Sequence, residues 1–158
     1  LIHIFALLLY FIQCLHLTSL WIKCILKASL EINYSMDIKT LSPLALAYVG
    51  DAIHTLFVRE KVIKSDIKKL NDYNKTCSRF CRATTQSKVL DKLLDKLDGD
   101  ELDLVRKARN AKIHHSAKNS SLVDYKKATC FEALIGYLYL TNNKERLNEF
   151  LNFSMEEM

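Results

Sequence analysis

The stretch ALAYVGDAIH, residues 45–54, decides how the chain reads. It sits in an apolar run with helical character. Yet its centre holds Gly50, a poor helix former, and Asp51, a charge that resists burial. Just upstream, Ser42 can cap a helix and Pro43 fits the first helical position, so a helix is expected from there to about Ile63. On that helix Asp51 shares a face with Ala47, Tyr48, His54 and Thr55 by three- and four-residue spacing.

The same combination recurs in ATCFEALIGYLYL, residues 128–140, where Glu132 is again an acid inside an apolar helix. Its four-residue row runs Asp124, Ala128, Glu132, Gly136, with small residues on both sides of the acid. Gly50 and Gly136 are two of only three glycines in the chain. Each costs about 1 kcal/mol relative to Ala inside a helix, a cost tolerated where backbones approach closely. The parallel suggests that the two helices cross near Gly50 and Gly136 and bring Asp51 and Glu132 to one cavity. Two carboxylates together repel unless a cation lies between them. A hard divalent ion such as Mg²⁺ suits such a pair and suits phosphodiester chemistry. The alternative is that each acid pairs with a base such as Arg59 or Lys112, and the residues alone leave this open.

The rest of the 158 residues supports an all-α reading: one proline, three glycines, an ordinary 49% apolar fraction, and many Leu, Ala and Lys. Further helices are expected at about 67–82, 85–97, 100–111 and 123–140, with a short terminal one in NNKERLNEFLNF. DGD at 98–100 should end the third helix, with Gly99 free to take the left-handed conformation. KIHHSAKNSS, residues 112–121, reads as an exposed polar loop.

The net charge of +5 is uneven. Between Arg106 and Lys127 there are seven Lys or Arg against the single acid Asp124. Such a segment suits a polyanion, the alternative being a solvated face. Cys77 and Cys81 in CSRFC share a helical face and read as buried thiols rather than a zinc site; the cysteine pattern fits a reducing, cytoplasmic setting. Residues 1–22 carry no Lys, Arg, Asp or Glu, long enough to span a bilayer, although His3, Gln13 and His16 make a poor membrane helix. The first methionine is Met36. Residues 1–35 are therefore read as upstream translation or a start-site error, with a membrane anchor as the alternative.

LALAYVGDA (44–52), ARNAKIHH (108–115) and VDYKKATCFEALIGYLYL (123–140), in that order, closely resemble Mini-ribonuclease III, the compact bacterial relatives of ribonuclease III. The match covers about Leu41 to Phe150. It implies a ribonuclease III-type helical bundle over residues 36–158, acting as a homodimer on double-stranded RNA. Mg²⁺-dependent hydrolysis would leave a 5′-phosphate and a 3′-hydroxyl. Asp51 and Glu132 match the family's acids and are the expected catalytic and metal-binding residues. Full ribonuclease III has further acids where this chain has Leu44, Ala47 and Thr129; Mini-ribonuclease III is similar to this chain in lacking them. Asp124 reads as a helix-start acid. No double-stranded RNA-binding domain fits in the 18 residues after Leu140. The catalytic domain must then bind RNA itself, through Arg106, Arg109, Asn110, Lys112, His114 and Lys118. For Arg109 the alternative is a structural ion pair. The family role is maturation of large-subunit ribosomal RNA, with a ribosomal protein as a further partner. The competing readings are a non-catalytic RNA-binding module on the same fold and a membrane-tethered interaction protein.

Overall fold

A computed structural model describes residues 37–65, 69–112 and 121–156. The apolar segment 1–35 and most of the 112–121 loop, including His114 and Lys118, lie outside the described residues. After a 3-10 turn at Ile38–Thr40 come six helices: α1 (Pro43–Ile63), α2 (Leu70–Cys81), α3 (Ala83–Leu93), α4 (Gly99–Asn110), α5 (Leu122–Leu140) and α6 (Lys144–Glu156). Among the described residues there is no strand, as the composition predicts.

Ser42 caps α1, its side chain accepting from Ala45 N–H at 3.2 Å, with Pro43 in the first turn. Leu46, Gly50, His54, Val58 and Val62 form one buried row at four-residue spacing. The first part of that row, Leu46 and Gly50, faces α5, in the most extensive helix–helix contact among the described residues. Helix α5 lies at the centre: Phe131, Ala133, Leu134 and Ile135 are fully buried. Around it pack Val89, Leu90 and Leu93 of α3, Val105 and Ala108 of α4, and Leu147, Phe150 and Leu151 of α6. Each large side chain of this kind contributes about 1.5–3 kcal/mol on burial. A smaller cluster of Val58, Val62, Cys77 and Phe80 joins α1 to α2.

Three expectations need correction. Gly99 is not a left-handed terminator; it is the first residue of α4. Asp98 and Glu101 form a reciprocal capping box there, at 2.8 and 3.0 Å, so α4 begins at Gly99, one residue before its expected start at about residue 100. The left-handed residue is instead Asn142 (φ 57°), which ends α5. The third helix is also shorter than expected. Regular α3 stops at Leu93, and Leu94–Lys96 tightens to a 3-10 turn. The terminal helix α6 is not short: it runs 13 residues. It is tied to α4 by Arg146, which bonds both oxygens of the buried Glu101 at 2.8 and 2.9 Å.

Cys77 and Cys130 are buried and Cys81 half-buried, all as free thiols. Burial pushes the Cys81 thiol up to about 12 and the Cys130 thiol up to about 11, so neither is a ready nucleophile. Among the described residues no helix is long and apolar enough to cross a membrane.

Candidate active site

The site begins at the crossing of α1 and α5. A Cβ added to Gly50 would collide with the Glu132 carbonyl oxygen and lie 2.7 Å from Gly136 N. A Cβ on Gly136 would collide with the Leu46 carbonyl oxygen and lie 3.1 Å from Gly50 N. The two helices therefore touch backbone to backbone, and only glycine fits at either place.

This close approach brings Asp51 and Glu132 together, as their spacing beside the two glycines predicts. Asp51 is exposed, standing at the edge between the buried row of α1 and water. Glu132 is half-buried. Burial, and then the negative charge of Asp51, push the Glu132 carboxyl up to about 8, opposed by a hydrogen bond from Gln86. Arg59 and Lys112 are both exposed, and among the described residues neither acid forms an ion pair with them or with any other base.

The donor set fits a hard divalent cation. It offers two carboxylates, one facing water, and a positive charge beside them would relieve both effects that raise Glu132. Among the described residues no group of three or more His, Cys, Asp or Glu assembles. Of Leu44, Ala47 and Thr129, two turn inward: Ala47 is buried, and buried Thr129 donates its hydroxyl to Tyr125 O at 3.0 Å. Asp124 lies two turns away at the start of α5, where Ser121 bonds both its N–H (3.0 Å) and its carboxylate (2.7 Å). Those bonds, with one from Ser87, hold its carboxyl below the usual range. That is a helix-start role.

Two polar residues behind the site, Gln86 and Ser154, were missed in the sequence, and His54, expected on the face of Asp51, is buried with them. His54 shares a turn with Asp51 but points into the core, edge-on to Phe131 with ring centroids 5.1 Å apart. The available signal was a polar residue in an apolar row. Gln86 precedes Val89 and Leu90 by three and four positions, and Ser154 follows Leu151 and Phe150 by the same spacing.

Of the expected RNA-binding residues, Arg109 and Asn110 end α4 and Lys112 follows, all exposed. Arg109 and Asn110 line a pocket of about 290 Å³ with Leu122, Val123, Lys126 and Lys127 of α5. Arg109 forms no ion pair among the described residues. Arg106 lies outside that pocket and pairs with Asp103 at 2.8 Å on the surface. Lys127 pairs with Asp91 at 2.7 Å.

Known proteins resemble this chain in sequence and in fold. Residues 44–143 match the family model described as Ribonuclease III domain. The chain is 44% identical over 112 residues to Mini-ribonuclease 3 of Symbiobacterium thermophilum, covering 71% of this chain and 86% of that protein. It is 43% identical over 115 residues to Mini-ribonuclease 3 of Brevibacillus brevis, covering 73% and 86%. The fold resembles the crystal structure of a Fusobacterium nucleatum protein, with a TM-score of 0.69 and 29% identity over 76% of this chain and 96% of that one.

Proposed function

The chain belongs to the ribonuclease III domain family, and on that premise we propose that it is a Mg²⁺-dependent endoribonuclease cutting double-stranded RNA at the Asp51–Glu132 pair. The endoribonuclease class follows from the family. The metal and the site residues rest on one observation: the Gly50–Gly136 crossing holds two carboxylates together with no base between them among the described residues. Asp51 and Glu132 would hold the ion. When bound, Mg²⁺ activates water and stabilises the leaving oxygen. Asp51, on the exposed side, faces the approaching phosphodiester. Glu132, half-buried, would hold the ion from the core side. Products carry a 5′-phosphate and a 3′-hydroxyl.

RNA is gripped by Arg109, Asn110, Lys112 and the neighbouring Lys126, with Arg106, His114 and Lys118 as further contacts. A homodimer is supported by α1, which exposes Leu44, Tyr48, Leu56 and Ile63 on one face; Tyr48 is 83% exposed. Asp51 borders that stripe, so a two-fold pairing there would set one acidic pair near each strand of a duplex. In the cytoplasm the substrate is a precursor of large-subunit ribosomal RNA, presented with a ribosomal protein. Residues 36–158 form the catalytic unit.

The test is purified protein with duplex RNA and Mg²⁺. Asp51→Asn and Glu132→Gln should each abolish cleavage while leaving duplex binding intact. Cleavage at the parental rate in either variant refutes the residue assignment. Duplex binding without cleavage by the parent, across several divalent ions, would instead favour a non-catalytic binding module.

A further inference from the structure

Behind Glu132 runs a chain of buried polar groups drawn from four helices. Ser154 of α6 donates its hydroxyl to Leu151 O at 2.7 Å. Its oxygen is then an acceptor, so the His54 nitrogen facing it, Nε2 at 3.2 Å, carries the ring proton. A neutral imidazole has one N–H, and burial keeps His54 neutral by lowering its pKa to about 4. Nδ1 is therefore an acceptor, and the Gln86 amide nitrogen, 3.4 Å away, donates to it. A carboxamide has two N–H groups. The second is left for the Glu132 carboxylate, within hydrogen-bonding reach of Gln86.

Every proton in this chain has one direction. If the Gln86 carboxamide flipped, its oxygen would face the unprotonated Nδ1, acceptor against acceptor, inside the core. Gln86 and His54 are each 1% exposed, so water cannot repair such a mismatch. The sequence of bonds thus locks Gln86 in one orientation. Apolar side chains of similar volume would fill the same space with no partners to satisfy. The chain instead ends on one of the two acids of the site.

We propose that Gln86 is a positioning residue: clamped by His54 and Ser154, it fixes the Glu132 carboxylate in the rotamer that receives the divalent cation beside Asp51. This rests on the reading of Asp51 and Glu132 as the cation site.

Gln86→Met tests it, because Met keeps the length and volume of Gln but has no N–H. Ser154→Ala is the second variant, releasing the far end of the chain without touching Gln86 or Glu132. Three quantities are read: Mn²⁺ binding to the free protein by electron paramagnetic resonance, kcat and KM on a short duplex RNA, and the melting temperature. Gln86→Met should weaken Mn²⁺ binding and lower kcat, each roughly 10–100-fold, as removal of a partner behind a metal ligand does. KM for the duplex should not change. Ser154→Ala should shift both in the same direction by less. Parental Mn²⁺ affinity in a folded Gln86→Met protein overturns the proposal, and so does a loss confined to melting temperature. If Gln86→Met does not fold, parental Mn²⁺ affinity in Ser154→Ala overturns it. Glu132→Gln runs alongside: a parental cleavage rate there sinks the cation-site reading itself, whatever Gln86 does.

Discussion

At the residue scale, Gly50 and Gly136 reverse the usual sign of a helical glycine. Replacing Gly by Ala in a helix interior ordinarily stabilises by about 1 kcal/mol. Here the added Cβ meets the backbone of the facing helix, which cannot rotate aside. Gly50→Ala and Gly136→Ala should each destabilise by about 3 kcal/mol in urea unfolding, as overpacking does. A stabilised variant would show that the helices can move apart freely. His54 makes a second residue-level expectation. Its folded pKa of about 4 lies below the ordinary 6.5, so the unfolded chain takes up this proton first as pH falls. Its contribution is whole above about pH 6.5 and is lost toward pH 4, about 3 kcal/mol in all. Glu132, raised to about 8, acts in the opposite sense, so the measurement is a difference between parent and His54→Gln. Their gap in unfolding free energy should narrow from pH 7 to pH 4.5; a gap that ignores pH would contradict buried neutral imidazole. The glycines and acids were legible in the sequence because each breaks its helix's own rule. Gln86 and Ser154 were not, since a single polar residue in an apolar row signals burial only once the facing helix is known.

At the element scale, the ends of helices were read unevenly. Ser42–Pro43 announces the start of α1 by its chemistry. At 98–101 the same kind of signal is present, an Asp followed three residues later by Glu, set against the freedom of Gly99 to end a helix. Side-chain capping outweighed the conformational freedom of glycine. Glu101 does more than cap: it is 3% exposed and its charge is met by Arg146 of α6, which also bonds Lys96 O at 2.6 Å. A residue 45 positions away cannot be read from local pattern. Arg146→Met should destabilise by about 3–5 kcal/mol, because it leaves a buried carboxylate unpaired. The double variant Glu101→Met/Arg146→Met should recover much of that loss in the same unfolding assay. A double variant no better than Arg146→Met would mean that packing, not charge, holds α4 to α6.

At the scale of the whole molecule, α1 serves two surfaces. One side is the buried row against α5. The other exposes Leu44, Tyr48, Leu56 and Ile63, an apolar stripe that suits a second copy of the chain. Tyr48→Lys with Leu56→Lys should convert a dimer to a monomer in sedimentation and lower duplex cleavage, with melting of the monomer fold little changed. A parental sedimentation coefficient would remove α1 from the interface. The crossing of α1 and α5 carries one more consequence. Where these helices meet, main chain rests on main chain, so no side chain acts as the spacer that sets how far apart the backbones carrying the two acids stand. The gap is gauged by the rigid geometry of the peptide unit rather than by the shape of any replaceable group. Substitutions scattered through the rest of the core should therefore erode heat tolerance well before they alter turnover at moderate temperature.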